Sequence, residues 1–591
     1  MRISCIKIRN YANFSELDLA TSDSIVIIGE NKVGKSNFLR ALQLVLDPTL
    51  SERDRLLDLD QFWDGLGTEK LGATVEVAID FTDFTDNPRL MAHLNDCVVQ
   101  AGPPMIARLT YRFQPKAGLG RRPESLADYE AITFGGANPD LAIGASLRRM
   151  LPLEAQLALR DAERDLMSWR NSPLRPLIEE LAEALDEDER EEIEQQINDA
   201  QAEVNDHPAV VAVAQTISGR LTAIAGEQHA VPITLGLTPT RVDALLRSLR
   251  LLIDNGARGI SDASLGSNNL IFFALKSLQL DRLVQDGERD HTFLAVEEPE
   301  AHLHPHVQRL VYRYFLAGAN NDGRPITTIL TTHSPHIASV TPLRSVVLLR
   351  HDAHQNATVA VSAAKTPLQP SDLADLQRYI DVSRGELFFA RGVILVEGDA
   401  EEFLVPAFAE ACGIPLDELG VTVCSIGGTN FTPYVKLLAE TGLAIPHVIL
   451  TDRDPNGGQP PFVRRRLINV MQVIEPGFDH EALDADALIA RAAARGYFVN
   501  ASTLELELFT GGLAEAMQDI ITTELRLPRA SRDELAGWVD DPATLDQVPL
   551  LRWIERIGKG RFAQAVAPHL NEDDCPPYIR EALEHIRDAV S

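Results

Sequence analysis

Cysteine is scarce in this chain of 591 residues, which has five, at positions 5, 97, 412, 424 and 575. They form no C-x-x-C pair, so the sequence supports neither a zinc ribbon nor a disulfide framework, and free cysteines suit a reducing cytosol. The chain also lacks an apolar run long enough to span a bilayer. Its alternating start, residues 1–8, predicts a strand and not a signal peptide. These absences predict a cytoplasmic protein with no membrane partner.

Basic residues are in deficit, with 55 Lys and Arg against 86 Asp and Glu and a formal net charge of -31. Such a chain is not an obvious nucleic-acid binder, because DNA phosphates repel it. Contact with DNA would therefore require a local basic patch or a bound metal ion. The apolar fraction of 45% allows a sizeable core, and the length allows several domains.

A glycine-rich loop follows the apolar strand that residues 24–28 predict. It has the pattern G-x-x-x-x-G-K-S and precedes a predicted helix over residues 37–46. Backbone N–H groups of such a loop surround phosphates, Lys35 reaches the β- and γ-phosphates, and Ser36 holds Mg²⁺. The predicted ATP-binding residues of this loop are Gly29, Asn31, Gly34, Lys35 and Ser36.

A second apolar run, residues 293–296, ends in the carboxylates of Glu297 and Glu298. This pattern predicts a buried strand whose last residues face a phosphate site. Glu297 would help to hold Mg²⁺, and Glu298 would orient or deprotonate the attacking water. The alternative is a core strand that runs into a solvated acidic turn, and the phosphate loop favours the catalytic interpretation.

Three further residues are candidates for ATP contact. Gln61 lies in a loop that could sense the γ-phosphate, although a plain surface loop is an equal alternative. Ser267 belongs to a turn of small residues, 264–269, before a predicted helix, which suits an anion. His333 follows the apolar strand of residues 325–330, and contact with the γ-phosphate is favoured over a structural role.

Helical spacing of leucine and isoleucine marks residues 150–228. The pattern predicts long amphipathic helices that supply a dimerisation surface, or alternatively a helical subdomain packed on itself. The charge run 186–192 is a solvated face or turn. Sheet structure is predicted to resume near Val231.

Acidic residues recur at strand ends in the C-terminal third. Glu397 ends the apolar run 392–396 and Glu401 follows in a predicted helix, while Asp452 and Asp454 end the run 447–451. Carboxylates at neighbouring strand ends are hard oxygen ligands for Mg²⁺ or Mn²⁺. Two such metals could activate water and stabilise the leaving oxygen of a phosphodiester.

The phosphate loop, the 264–269 turn, the Glu297–Glu298 pair and the Thr-His-Ser-Pro ending at 332–335, in this order, resemble ABC-type ATPase heads of the SMC, RecF and Rad50 kind. E-G-x-x-E followed by D-x-D is a Toprim signature. Together they resemble the OLD (overcoming lysogenization defect) family, which includes the nuclease subunit of the Gabija anti-phage system. That subunit works with a helicase partner, and a helicase is accordingly a candidate partner here.

The resemblance implies that two heads sandwich ATP, with the Lys35 loop of one chain meeting the 264–269 turn of another. It thus implies a homodimer or a dimer of dimers. The family turn usually keeps a second glycine and a glutamine, but this chain has Asn268 and Asn269. This departure leaves the contact between chains and the hydrolysis rate open.

For the Toprim module, the resemblance implies metal-dependent cleavage of DNA. Lys559 would lie opposite the negative charge that develops on the phosphorane. Glu507 is an alternative to Glu505, because both fit one face of a strand, and Asp399 is a further candidate with a capping or surface role as its alternative. The implied metal ligands are Glu397, Glu401, Asp452, Asp454 and Glu505.

The predicted fold class is α/β: an ABC-type ATPase head with a helical dimerisation insertion, followed by a Toprim α/β domain with C-terminal helices. The predicted boundaries are 1–150 and 229–365 for the ATPase, 151–228 for the insertion, 366–390 for a linker and 391–591 for the Toprim region. The expected cofactors are ATP with one Mg²⁺, and two Mg²⁺ or Mn²⁺ ions at the Toprim site.

DNA is the expected substrate, and Arg464, Arg465 and Arg466 are candidates to hold its backbone, with a solvated positive patch as the alternative. The loop 425–430 could face a DNA phosphate or form a plain tight turn. The favoured function is an ATP-modulated endonuclease in phage defence or DNA metabolism. The main alternative is a RecF- or SMC-like repair ATPase that binds DNA without cutting, although no long heptad coiled coil is visible. A Toprim topoisomerase or primase lacks motif support.

Overall fold

The computed structural model describes residues 1–156, 162–169, 172–227, 231–238, 240–321, 325–380, 384–453 and 462–591. The chain divides into two compact units. The first comprises Met1–Ala158, Asp290–Glu300 and His304–Ser591, and the second comprises Leu159–Arg289 and Ala301–Leu303. None of the helices within the described ranges is long and apolar enough to cross a membrane.

The strands, in chain order, are β1 Arg2–Tyr11, β2 Phe14–Ala20, β3 Ile25–Gly29, β4 Val75–Thr82, β5 Val98–Gln100, β6 Ile106–Pro115, β7 Tyr129–Gly135, β8 Leu153–Gln156, β9 Leu252–Ile253, β10 Arg258–Gly259, β11 Thr292–Glu297, β12 Ile326–Thr332, β13 Val346–Asp352, β14 Ala357–Ser362, β15 Gly392–Val396, β16 Val421–Ser425, β17 His447–Thr451 and β18 Tyr497–Val499.

The α-helices are α1 Lys35–Leu46, α2 Pro88–Leu94, α3 Ala145–Met150, α4 Ala162–Met167, α5 Arg175–Ala184, α6 Glu187–Asn205, α7 Pro208–Ala225, α8 Val242–Leu246, α9 Leu265–Gln285, α10 Pro305–Asn321, α11 Pro335–Ala338, α12 Pro370–Tyr379, α13 Asp399–Ala411, α14 Leu416–Leu419, α15 Thr432–Leu438, α16 Phe462–Ile474, α17 Ala485–Ala493, α18 Leu504–Leu508, α19 Ala514–Glu524, α20 Arg529–Asp540, α21 Gln547–Ile557, α22 Lys559–Val566 and α23 Pro577–Val590.

Two sheets of the first unit enclose the ATPase core. An antiparallel sheet has the order β2-β1-β4-β6-β5, with β7 also paired to β6. The other sheet has the order β14-β13-β3-β12-β11-β8 and is parallel except for the β13–β14 pair. The helix α1 contributes Phe38, Leu42 and Val45 to a continuous apolar core with residues of both sheets. Burial of the central strands on both faces explains why β3 and β11 are uninterrupted apolar runs.

The order of this second sheet explains how distant residues reach one site. The strands β11, β12 and β3 lie side by side and run parallel. Their carboxyl ends therefore meet at one edge of the sheet, where ligands bind in open α/β sheets. Glu297 is at the end of β11, Thr332 at the end of β12 and Gly29 at the end of β3.

A four-stranded parallel sheet, β16-β15-β17-β18, forms the centre of the predicted Toprim region. Its apolar strands share a separate core with α13, α14 and the helices from α18 to α23, which includes Phe408, Trp538, Trp553 and Ile586. The predicted linker 366–390 contains α12. Asp372 of this helix pairs with Lys436 of α15 at 2.7 Å.

The second unit consists mainly of the helices α4 to α9. Asp186 caps α6 by accepting from the backbone N–H of Glu189 at 2.8 Å, so the charge run 186–192 begins a solvated helix. The prediction of renewed sheet structure near Val231 is wrong, because residues 231–238 contain no strand and β9 begins at Leu252. Val231 is 66% exposed, and an exposed apolar residue does not form a strand when no neighbouring strand pairs with it.

Candidate functional site

The phosphate loop lies between β3 and α1, as the sequence predicts. Gly34 has a positive φ of 102°, and a Cβ atom there would lie 2.0 Å from the Asn13 side chain, so only glycine fits. Asn13 donates to the Val33 carbonyl at 2.7 Å and accepts from Asn37 at 2.9 Å. These bonds brace the loop from the β1–β2 turn, a support that the sequence did not reveal.

Lys35 is buried and donates from Nζ to the carbonyl oxygens of Gly29 and Glu30, each at 3.0 Å. Burial lowers the pKa of Lys35, and the negative charges of Glu298, Glu297 and Glu300 oppose that shift. The Ser36 hydroxyl donates to the Glu297 carboxylate. The structure thus brings the serine and the glutamate predicted to share Mg²⁺ into direct contact.

Glu298 and His333 also lie together, with His333 Nε2 3.0 Å from Glu298 Oε1. Glu298 has a φ of 45°, a conformation that side chains rarely adopt. Its backbone N–H donates to the Thr331 carbonyl at 3.1 Å, which fixes the residue beside β12. Burial lowers the pKa of His333, and the positive charge of Lys35 adds to this effect. A neutral imidazole beside a carboxylate can help to orient a water molecule.

Glu300 is a site residue that the sequence analysis missed. One of its oxygens accepts from the Thr332 hydroxyl and from the backbone N–H of His333, both at 2.9 Å, and the other accepts from the Tyr312 hydroxyl. These contacts hold the end of β12 in place. The third carboxylate of the segment Glu-Glu-Pro-Glu was the available signal.

Gln61 and Ser267 contact the protein itself. The Gln61 side chain accepts from the backbone N–H of Asp58 at 2.9 Å and closes its own short turn. In the second unit, Ser264 caps α9 by accepting from the backbone N–H of Ser267 at 3.1 Å. Neighbouring Asn268 is 1% exposed, and its side-chain amide has no hydrogen-bond partner among the described residues. ATP contact by Gln61 and Ser267 stays a prediction.

Glu397 follows β15 and is held by the neighbouring strand end. Its Oε1 accepts from the Thr451 hydroxyl, from the backbone N–H of Asp452 at 3.0 Å, and from Arg466 Nη1 at 2.8 Å. The parallel pairing of β15 with β17 places these groups at one sheet edge.

Asp452 follows β17 and is held from the next strand. Asn500, which is 3% exposed, donates from Nδ2 to Asp452 Oδ1 and accepts from the backbone N–H of Arg453 at 2.9 Å. Burial raises the pKa of Asp452 to about 8, and repulsion from Glu397, Glu401 and Glu505 contributes to the rise. Asp454 lies outside the residues that the structure describes.

Glu401 lies in the first turn of α13, which confirms the predicted helix. Burial raises the pKa of this carboxyl to about 7, and the charges of Glu505 and Glu397 add to it. Mutual repulsion of this kind indicates that the four carboxylates Glu397, Glu401, Asp452 and Glu505 share one region.

Glu505 is 3% exposed, and its Oε1 lies 2.8 Å from Lys559 Nζ. Its other oxygen is buried and has no hydrogen-bond partner among the residues that the structure describes. Burial acts against the charge of Lys559, but the pair with Glu505 outweighs it and raises the lysine pKa above its ordinary value. An orphaned carboxylate oxygen among other carboxylates is a donor set that fits a divalent cation.

The strand predicted for Glu505 and Glu507 is wrong, because residues 504–508 form α18. Residues two apart on a helix do not share a face. Glu507 accepts from the backbone N–H of Ala501 and lines a cavity of about 690 Å³ that the four carboxylates do not line. Asp399 is exposed at the start of α13. Extra ligation by Glu507 or Asp399 stays a prediction.

The three consecutive arginines, Arg464 to Arg466, have different surroundings. Arg464 donates to the Leu483 carbonyl at 2.8 Å and to the His480 carbonyl at 3.0 Å, while Arg465 is exposed. In the loop 425–430, the backbone N–H of Gly428 donates to the Glu397 carbonyl at 2.9 Å.

Within the described residues, no group of three acidic, histidine or cysteine side chains is arranged to hold a metal ion.

Comparison with known proteins supports the two predicted domain types. The profile described as "AAA ATPase domain" matches residues 1–116 and 147–338, more than half of the chain. The profile described as "Overcoming lysogenization defect protein-like, TOPRIM domain" matches residues 388–454. An ATPase domain and a Toprim domain imply the use of a nucleotide and of divalent metal.

Three relatives extend the comparison. The OLD nuclease of Thermus scotoductus is 24% identical over 76% of this chain and 81% of its own length. Endonuclease GajA of Bacillus cereus (strain HuB5-5) is 27% identical over 27% of this chain and 26% of its own. The solved C-terminal region of the Xanthomonas campestris OLD protein is 69% identical over 34% of this chain and 97% of its own, with a TM-score of 0.33. This chain belongs to the OLD family and carries an AAA-type ATPase domain followed by a Toprim domain.

Proposed function

We propose that this protein is an ATP-hydrolysing, divalent-metal-dependent endonuclease that nicks and cleaves double-stranded DNA, in phage defence or DNA metabolism. One observation carries the proposal. Glu397 and Asp452 follow neighbouring parallel strands and are joined by a hydrogen bond at 3.0 Å. Glu401 and Glu505 lie near enough for their charges to raise the pKa of Asp452, and Lys559 pairs with Glu505 at 2.8 Å. Relatives named as an OLD nuclease and an endonuclease support the same chemistry.

The four carboxylates would hold the divalent cations, which when bound supply activation of water and neutralisation of phosphodiester charge. Asp454 is the fifth proposed ligand. Glu397 and Asp452 each have one oxygen bound by protein donors, so their orientation is set by the fold. Lys559 would stabilise the negative charge that grows on the phosphate. It also neutralises Glu505, which lowers the repulsion that an incoming phosphate meets.

The ATPase part of the proposal rests on the contact of Ser36 with Glu297 and of Glu298 with His333. Lys35 would exchange its two carbonyl partners for the β- and γ-phosphates. Glu298 would orient or deprotonate the attacking water, and His333 would hold Glu298 in place. The backbone of Gly29, Asn31 and Gly34 would surround the phosphates. Gln61 and Ser267 are the remaining proposed nucleotide contacts.

Self-association is the third part of the proposal. The helix α7 exposes Val213 by 50%, Ile217 by 41% and Ile224 by 77%. Their spacing of four and seven residues places them on one helix face. Exposed apolar side chains on one helix face are candidates for an interaction site, and a second copy would cover them in a homodimer or a dimer of dimers. A helicase partner stays a prediction, to be sought among the products of neighbouring genes.

Dimerisation through α7 is tested by light scattering of an Ile217→Glu variant, with Gln215→Glu on the same helix as the charge-matched control. We expect Ile217→Glu alone to lower the measured mass. An unchanged mass in both variants would place the interface elsewhere.

The cleavage proposal is tested by incubating the purified protein with supercoiled plasmid, with and without Mg²⁺, Mn²⁺, ATP and chelator. Nicked and linear products that require the metal would support it. DNA binding that responds to ATP, with no product under any condition, would favour the repair-ATPase alternative.

A further inference from the structure

Arg466 lies on α16, directly after two other basic residues of the same helix, Arg464 and Arg465. Its side chain is only 13% exposed, which is unusual for a residue expected to reach DNA from solvent. The guanidinium points to the two strand ends of the metal site. Nη1 donates to Glu397 Oε1 at 2.8 Å, to the Thr451 hydroxyl at 2.9 Å and to the Asp452 carbonyl at 3.1 Å.

These contacts involve the residues that follow β15 and β17. Glu397 Oε1 accepts from Arg466, from the backbone N–H of Asp452 and from the Thr451 hydroxyl. The hydrogen bonds that the structure shows at this carboxylate all reach one oxygen. Rotation of the carboxylate is therefore blocked, and the direction of its other oxygen is fixed.

The positive charge of Arg466 offsets repulsion between the carboxylates of the site. Glu397 and Asp452 are neighbours of Glu401 and Glu505, and like charges at such a site repel one another. Arg466 places a permanent positive charge at the junction of the two strand ends. A guanidinium keeps its charge and offers several donors in a rigid plane, so one side chain can bind a carboxylate, a hydroxyl and a carbonyl together.

We propose that Arg466 is a positioning residue for the Toprim metal site, which holds Glu397 and the Asp452 backbone in the arrangement that divalent cations require. In this role Arg466 contacts the metal ligands and not the DNA backbone. This inference rests on the proposed function, since it assigns a role within the same site. Groups that orient metal ligands typically change metal affinity or activity by about 10- to 100-fold when they are removed.

Positioning of metal ligands and contact with the DNA backbone lead to different experimental results. A positioning residue sets the metal concentration needed for half-maximal cleavage and leaves the affinity for DNA nearly unchanged. A backbone contact sets the affinity for DNA and its salt dependence, and leaves the metal requirement unchanged. Arg465 is the matched control, because it is exposed on the same helix and carries the same charge.

The experiment compares wild type with Arg466→Gln, Arg466→Lys and Arg465→Gln. Mn²⁺ binding to each protein is measured by titration calorimetry without DNA, and plasmid cleavage is measured over a range of Mg²⁺ concentrations. ATP hydrolysis at the separate nucleotide site reports whether each variant folds. We expect Arg466→Gln to weaken Mn²⁺ binding by about 10- to 100-fold and Arg466→Lys to recover part of the loss. Arg465→Gln should bind Mn²⁺ as wild type does, and any loss of cleavage that it causes would come from weaker DNA binding.

Mn²⁺ affinity in Arg466→Gln equal to wild type would overturn the inference, as would equal losses in Arg465→Gln. If Arg466→Gln fails to fold, the comparison of Arg466→Lys with wild type decides by the same criterion. A wild-type protein that binds Mn²⁺ but never cuts plasmid would contradict the proposed nuclease function. The Mn²⁺ titrations would in that case still decide the role of Arg466.

Discussion

The guanidinium of Arg350 donates from Nη1 to the carbonyl oxygen of Ala444 at 2.8 Å. Arg350 belongs to β13, one residue after Leu349, which pairs with Gly29 at the start of the phosphate loop. Ala444 precedes β17, which leads to Asp452. A second bond, from Nη2 to the Ala390 carbonyl at 3.4 Å, reaches the segment before β15. One side chain thus ties the ATPase sheet to both strands that lead to Glu397 and Asp452.

We expect Arg350→Ala to destabilise the protein by about 1–3 kcal/mol, because two carbonyl oxygens lose a charged donor. Burial lowers the pKa of Arg350 to about 10, and the residue is only partly exposed. Chemical denaturation would measure the effect. Arg391→Ala is the control, since Arg391 is exposed. Equal stability of Arg350→Ala and wild type would show that the two carbonyl contacts add nothing.

ATP turnover distinguishes the roles of Lys35 and Glu298. We expect Lys35→Ala to lose nucleotide binding, because the ammonium would contact the β- and γ-phosphates. Glu298→Gln should bind ATP and hydrolyse it about 10²- to 10⁴-fold more slowly, which is the usual contribution of a general base. A fluorescent ATP analogue measures binding and phosphate release measures turnover. Normal turnover in Glu298→Gln would transfer the base role to another residue.

Stability against pH tests the crowding of the carboxylates. The pKa of Asp452 is raised from 3.8 to about 8, so the folded protein holds this proton more tightly than the unfolded chain does. The stability from this group is fully present below about pH 4 and is lost as the pH rises toward about 8. In chelator, wild type should therefore lose stability between about pH 5 and about pH 8 relative to Asp452→Asn.

Added Mg²⁺ should remove that difference, because a ligand that binds only the folded state stabilises it. Thermal unfolding of both proteins, with Asp519→Asn on α19 as an exposed control, would measure the difference. Parallel pH profiles for wild type and Asp452→Asn in chelator would mean that Asp452 is not crowded by the other carboxylates.

Lys559 should act on the rate more than on the metal. We expect Lys559→Ala to lower plasmid cleavage by about 10²-fold at saturating Mg²⁺, through lost stabilisation of charge in the transition state. Mn²⁺ binding should change less, since Lys559 contacts Glu505 and is not itself a ligand. Calorimetry beside the cleavage assay separates the two effects. Loss of Mn²⁺ binding with an unchanged cleavage rate at saturation would assign Lys559 a structural role.

The strand ends were predictable from sequence, because buried parallel strands are uninterrupted apolar runs that stop at a polar residue. Residues 392–396 and 447–451 show this pattern, and β15 and β17 have these bounds. The same logic placed Ser36 near Glu297, since their elements end at one sheet edge. The family and the order of its domains followed from the motifs at those edges.

Supporting residues were not predictable in the same way. Glu300, Asn500 and Arg466 act through side chains whose direction depends on packing between distant segments. The spacing of Glu505 and Glu507 suggested a strand, but both residues lie in a short helix whose leucines are buried. In a helix enclosed by a core, an alternating pattern does not identify the secondary structure.

The Asp452→Ala variant separates cleavage of DNA at the Toprim site from ATP hydrolysis. Wild type, Asp452→Ala and Lys35→Ala are incubated with supercoiled plasmid and Mg²⁺ or Mn²⁺, and ATP hydrolysis is measured on the same samples. We expect Asp452→Ala to hydrolyse ATP but to leave the plasmid supercoiled. Nicking and linearisation by Asp452→Ala at the wild-type rate would contradict this expectation.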